Sequence, residues 1–335
     1  MRAPRFVPTL PPVLWAGLVR YVRPGVASNA LLTVLLATLC SSMTACTNGT
    51  AAPSAPEFNA DRAWQDLERL VAFGPRPAGS EALEETRGYL EAELTKAGLT
   101  PQREAFEAET PVGKIAMVNV FADLEGLPDE NGRPPEMVIL CTHYETKRGI
   151  EGFVGANDGG SGTAVLLELA RVLTSGGPRA LTYRFLFVDG EEAMRMDWIG
   201  LDNTYGSRHH AEALRKSGLS ERVRACVVID IVGEKNVRLS HDISSDRRLL
   251  AIFFDAARAA GLGKHVGGRR EEIKDDHHSF MAIGIPSVDL IDLDYLHWHK
   301  PSDTLDKCSK ESLDAIGTIV LLGLPQLESS FRRIR

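Results

Sequence analysis

Cysteine is scarce in this chain. Its five residues are Cys40, Cys46, Cys141, Cys226 and Cys308. Two of these fall near the N-terminus. Cys141 and Cys226 sit inside the apolar runs "VILCTHY" and "ACVVIDIVG" and read as buried thiols. No disulfide framework is legible. Neither CxxC nor HExxH occurs, so no short local zinc motif is on offer. Positive charge is also short. The formal net charge is −7, and residues 1–46 hold four arginines and no acid, which leaves the rest of the chain at −11. A body that acidic, with no basic stripe, excludes nucleic acid as a partner. The apolar run Ala30–Cys40 is too short to span a bilayer and suits the h-region of a signal peptide. No internal repeat is found.

What is there belongs to an exported globular protein. The apolar fraction, 44%, and the charged fraction, 25%, are those of a chain able to bury a sizeable core. Arg2, Arg5, Arg20 and Arg23 precede "NALLTVLLATLCSSMTAC", whose "MTAC" is similar to a bacterial lipoprotein signal. Residues 1–46 are therefore expected to be an export signal, with acylation of Cys46 as the only membrane link. A periplasmic or cell-envelope lipoprotein is expected, with plain secretion as the alternative. The small, polar, Pro-containing stretch 47–60 reads as a flexible tether, and 61–335 as one folded domain.

From residue 61 helical and strand-like periods alternate. "DRAWQDLERLVAFG" and "SEALEETRGYLEAELTKAGL" are spaced as helices, the second with Ser80 as N-cap. Strand-like runs follow: "KIAMVNVFADL", "EMVILCTHY", "LTYRFLFVD", "RACVVIDIV" and "SVDLIDL". Helix-like runs lie between or after them: "SGTAVLLELARVLT", "SRHHAEALRKSG", "SDRRLLAIFFDAARAAG" and "SKESLDAIGTIVLLGLPQL". This alternation predicts an α/β single domain, with a mostly parallel mixed central sheet and helices on both faces.

In such folds the ligand site lies beyond the carboxyl ends of the strands. His143, the adjacent Glu191 and Glu192, Asp230 and His299 all fall at or after a strand end, and Asp158 sits in a glycine-rich loop before a helix. Two histidines among carboxylates suit zinc. Asp158 would equally serve as the cap of its helix. Glu191 and Glu192 pose the sharper question, because adjacent carboxylates repel unless a cation or a shared proton relieves them.

The segments "HYETK", "GANDGGSGTAVLLELAR", "LFVDGEEA", "NTYGSRHHA", "VIDIVG", "DDHHSF" and "WHKPSDTLDKCS" occur in the order expected of the M28 zinc-peptidase superfamily. Within it they most resemble glutaminyl-peptide cyclotransferases. The resemblance covers most of residues 61–325. It implies that Asp158, Glu192 and His299 bind one Zn²⁺ and that Glu191 is the general acid/base. It also implies that Asp230 and Asp275 form a carboxylate network with Glu191, and that Trp198 and Trp298 enclose the substrate side chain. The expected substrate is the N-terminus of a peptide or protein bearing glutamine, converted to pyroglutamate with loss of ammonia.

The rival is an M28 aminopeptidase with two metals, the second held by His143 and Asp230 with Asp158 bridging. A third reading is a lipid-anchored binding domain without catalysis. Three residues depart from the cyclotransferase pattern: Glu145 replaces an aspartate, Lys274 stands where a neutral polar group is usual, and Lys300 replaces a threonine. Asp276 would cap the helix "HHSFMAIG".

Overall fold

The computed structural model describes residues 57–332. The expected export signal and most of the expected tether lie outside the described residues. Folded structure begins with Phe58, which is buried, and Asn59, whose side chain accepts the Arg62 N–H and caps the first helix. Seven helices are described: α1 Ala60–Ala72, α2 Glu81–Lys96, α3 Gly160–Ser175, α4 Tyr205–Ser217, α5 Arg247–Ala259, α6 His277–Met281 and α7 Lys310–Arg332. The strands are β1 Gln102–Thr110, β2 Gly113–Leu124, β3 Met137–His143, β4 Thr182–Val188, β5 Val223–Asp230, β6 Leu239–Asp242, β7 Val266–Glu271 and β8 Ser287–Ile291. Among the described residues no helix is long and apolar enough to cross a membrane.

A six-stranded sheet runs in the order β1-β2-β4-β3-β5-β8. β4, β3, β5 and β8 are parallel to one another, while β1 and β2 are antiparallel additions at one edge. β6 and β7 form a separate parallel pair. The strand period of two explains the layering. Along β3, Val138 and Leu140 enter the core shared with α1, α2, α3, α5 and α7, whereas Met137, Ile139 and Cys141 enter a second core shared with α4 and α6. Both faces are covered, which is why these strands read as unbroken apolar runs.

The helices expected from sequence are present, as is Ser80, which caps α2. α4 begins at Tyr205, two residues before the expected run. Three strands carried no apolar signal. β1, "QREAFEAET", is a largely exposed edge strand, and β6 and β7 are short, with β7 carrying two arginines. Cys141, Cys226 and Cys308 are buried free thiols, and no disulfide occurs among the described residues.

Candidate active site and metal centre

Four parallel strands end at one rim and deliver its chemistry. His143 is the last residue of β3 and Asp230 the last of β5. β4 ends at Val188, and the turn Asp189–Gly190 leads into Glu191 and Glu192. His299 lies on the loop that follows β8. The remaining acid, Asp158, comes from the loop before α3. That loop can approach because Gly159 has φ 84°, and a Cβ on it would come within 2.3 Å of the Glu145 carbonyl oxygen.

Asp158 does not cap α3. The cap position is Gly159 and makes no side-chain bond. Instead the Asp158 loop is pinned from beneath. The Asn157 and Asp158 N–H groups donate to Asp303 at 2.9 and 3.1 Å, and the Tyr295 hydroxyl donates to the same carboxylate at 2.7 Å. Arg76 is fully buried and donates to the carbonyls of Tyr144, Val154 and Gly155. Burial lowers its pKa to about 10, against the pull of Asp303, Glu145 and Asp158.

The carboxylates this loop brings together are deliberately under-satisfied. His299 Nε2 lies 2.8 Å from Glu192 Oε1 and 3.6 Å from Asp158 Oδ2. Asp158 Oδ2 and Glu192 Oε2 are buried without a hydrogen-bond partner. One imidazole nitrogen and two carboxylates within 4.8 Å of one another, with buried lone pairs left over, fit a zinc ion. A second group, His143, Asp158 and Asp230, converges in the same way: His143 Nε2 is 3.0 Å from Asp230 Oδ1 and 3.4 Å from Asp158 Oδ1.

The two adjacent glutamates face different surroundings. Burial raises Glu192, but His299, Lys147 and His143 outweigh it and hold its carboxyl below the usual range. The fully buried Lys147 ammonium is 3.4 Å from Glu192 Oε2 and donates to the Ala193 carbonyl at 2.8 Å. Glu191 moves the other way. Burial pushes it well above the ordinary range, and the charges of Glu192, Asp275 and Asp276 add to this against His143. Asp275 is itself raised to about 6 by burial and by Asp230. Extra length at Glu145 is put to use: Oε1 accepts the Glu192 N–H at 3.0 Å, while Oε2 reaches to 3.7 Å from His143 Nδ1.

Asp158, Glu191, Glu192, Trp198, Asp230, Asp275, Trp298 and His299 all line one cavity of about 270 Å³. His143 lies buried beside them. Trp298 stacks on His299 with ring centroids 4.2 Å apart. Lys274 also lines the cavity, whereas Lys300 turns away and donates to the Leu296 carbonyl. Asp276 makes no side-chain cap on α6, and both its carboxylate oxygens are buried and unpartnered. Strain collects here too. The three non-glycine residues with positive φ among those described are Thr204, Ile231 and His299. Thr204 donates its N–H to the Glu191 carbonyl at 2.7 Å, Ile231 follows Asp230, and His299 belongs to a group that could hold a metal. Such conformations cost about 1–3 kcal/mol each and persist where surrounding structure enforces them.

Arg76, Lys147 and Asp303 escaped sequence reasoning. Their partners lie far off along the chain, so no local pattern betrays them. "HYETK" contains Lys147 and was the nearest available signal.

An α/β body with His and carboxylate side chains gathered at its strand ends, where they could hold a metal ion, defines the class of a zinc exopeptidase-like enzyme. The profile of peptidase family M28 matches residues 119–323, and the chain belongs to that family. A mouse glutaminyl-peptide cyclotransferase-like protein is 31% identical over 278 residues, covering 74% of this chain and 70% of the relative. The crystal structure of an Acidobacteriales bacterium glutaminyl cyclase superposes with a TM-score of 0.77 at 30% identity, covering 83% of this chain and 98% of that one. A Zn-dependent exopeptidase from Parabacteroides distasonis gives 0.71 at 25% identity, covering 80% and 98%.

Proposed function

We propose that this chain is a zinc-dependent glutaminyl-peptide cyclotransferase that converts N-terminal glutamine to pyroglutamate and releases ammonia. The opposed environments of Glu191 and Glu192 on one cavity carry this reading. Asp158, Glu192 and His299 would hold a single zinc ion, which when bound supplies a Lewis acid for the side-chain amide carbonyl. Glu191, whose carboxyl is pushed up by burial and by its acidic neighbours, takes a proton from the substrate α-amine. The amine nitrogen attacks the side-chain amide carbon, the carbon–nitrogen bond of that amide breaks, and Glu191 returns the proton to the departing ammonia. Asp230 and Asp275 maintain the acidic surroundings of Glu191. Trp198 and Trp298 wall the substrate side chain and exclude water.

A second reading, a two-metal aminopeptidase, rests on the convergence of His143, Asp158 and Asp230. In that case Glu191 would activate water. The two readings separate when the zinc-loaded protein is given two peptides that differ only in N-terminal Gln or Leu, with products followed by mass. Loss of ammonia from the Gln peptide alone supports the cyclotransferase. Release of free leucine overturns it in favour of the aminopeptidase.

Export belongs to the same proposal. The arginine-bearing stretch, the apolar run and "MTAC" support a lipoprotein anchored through Cys46 in the cell envelope. The mass of the mature N-terminus tests it: an acylated Cys46 supports the anchor, and an unmodified N-terminus contradicts it.

A further inference from the structure

α2 contributes no residue to the cavity lining, yet one of its side chains reaches the strand ends that build the site. Of the charged residues on α2, Arg87 alone is buried. A guanidinium is kept out of water only where its charge and its donors are matched. Arg87 Nε donates to the Tyr144 hydroxyl at 2.7 Å, and its Nη2 donates to Asp189 Oδ2 at 2.8 Å. The circuit closes through Val118 on β2. The Tyr144 hydroxyl donates to the Val118 carbonyl at 2.6 Å, and the Val118 N–H donates to the same Asp189 oxygen at 2.9 Å. Tyr144 and Asp189 are fully buried, so these four bonds are shielded from competing water.

Both side chains that Arg87 joins are neighbours of the chemistry. Tyr144 stands between His143 and Glu145, and Glu145 accepts the Glu192 N–H at 3.0 Å. Asp189 opens the turn that leads into Glu191. That turn sits tightly on β2: Gly190 has φ 71°, and a Cβ there would come within 2.6 Å of Met117 Sδ. Its far side is held by the Tyr205 N–H, which donates to the Gly190 carbonyl at 2.7 Å. Two strand ends are thus tied to one guanidinium, one bearing His143 and Glu145, the other bearing Glu191 and Glu192. We propose that Arg87 is a positioning residue, which places Glu191 for proton transfer by locking the ends of β3 and β4 through Tyr144 and Asp189. The inference rests on the cyclotransferase reading and adds to it a residue that touches neither substrate nor metal. A misplacement of about 1 Å costs about 10²-fold in rate, so a lock of this kind shows in turnover. Lysine cannot replace it, because a single ammonium lacks the planar fork that meets Tyr144 and Asp189 together.

The test uses the zinc-loaded full chain and the amidated peptide Gln-Ala-Ala, with ammonia release, zinc content and melting temperature measured for each variant. Arg87→Gln should lose about 10–100-fold in kcat while KM stays within about twofold and one zinc per chain is retained. Tyr144→Phe removes one oxygen, keeps the packing, and should lower kcat about tenfold. The double variant should be no slower than Arg87→Gln, because both changes open the same circuit. Arg87→Lys should keep the charge without restoring kcat. An unchanged kcat in Arg87→Gln or Tyr144→Phe, with only the melting temperature lowered, overturns the positioning role and leaves cyclisation standing. Full turnover in Arg87→Lys overturns it too, as does a loss carried by KM or by zinc content. Should Arg87→Gln fail to fold, the kcat of Tyr144→Phe decides alone. If the unaltered chain instead releases leucine from Leu-Ala-Ala, the function is overturned, and the same variants judge Arg87 on leucine release. Turnover of neither peptide overturns the function and the positioning role together.

Discussion

Asp242 and the carboxylates of the strand-end rim are buried acids built on opposite principles. Asp242, at the end of β6, is saturated. It accepts the N–H and hydroxyl of Ser244, the N–H and hydroxyl of Ser245 and the N–H of Ile273, with His277 Nε2 3.3 Å away. Burial would raise it, but these donors hold it below the usual carboxylate range. At the rim, burial and Glu192 raise Asp158 to about 7, and one oxygen of each of Asp158, Glu145, Glu192 and Asp275 accepts no hydrogen bond, although the Lys147 ammonium stands 3.4 Å from that of Glu192. At Asp242 the protein itself supplies the donors that a buried acid needs. An acid that serves chemistry is left short of them, and the deficit is available to a metal or to a proton in transit.

The largest effect should come from removing a donor on the open side. Purified His299→Ala is expected to hold well under one zinc per chain by metal analysis and to lose cyclisation with it; retention of stoichiometric zinc would remove His299 from the ligand set. Asp303→Asn acts one step back. It leaves every proposed ligand in place but weakens the clamp on the Asn157 and Asp158 N–H groups. Zinc affinity should fall about 10–100-fold in competition with a chelator. An unchanged affinity would make Asp303 a packing residue.

On the saturated side, Asp242→Asn should cost about 2 kcal/mol of stability at pH 7 and leave zinc content untouched. Its pH dependence has a definite sign. A carboxyl depressed in the folded state contributes stability above its unfolded pKa, about 3.9, and loses it as pH falls toward the folded value. Melting temperatures of the two proteins should therefore differ at pH 7 and converge as the pH drops below about 4. A constant difference would mean that Asp242 acts by shape rather than charge. The smallest effect is expected at Trp298, which is partly exposed. Trp298→Ala should raise KM for a Gln peptide several-fold with little change in kcat, whereas an unchanged KM would reduce the ring to support for His299.

What the sequence disclosed follows the same division. Alternating helical and strand periods yield the parallel strands, and parallel strands place their carboxyl ends together, so His143, Glu191, Glu192, Asp230 and His299 could be assembled before any coordinates. The exposed edge strand β1 was silent because "QREAFEAET" buries too little to leave an apolar period. The supports of the site were silent for another reason. Arg76 reaches Val154 and Gly155, and Asp303 reaches Asn157 and Asp158, across stretches of chain over which no periodicity carries information. Whether Asp158 capped a helix or faced a cavity was likewise a matter of its Asp303 clamp, which only the fold reveals.

The central claim is that the neighbours Glu191 and Glu192 divide the work, one moving a proton and the other holding the metal. It is tested by measuring zinc content and turnover together in Glu191→Gln and Glu192→Gln. The account predicts that Glu191→Gln keeps one zinc per chain and loses turnover by about 10²–10⁴-fold, and that Glu192→Gln loses the zinc itself. Normal turnover in Glu191→Gln, or full zinc in Glu192→Gln, would contradict it.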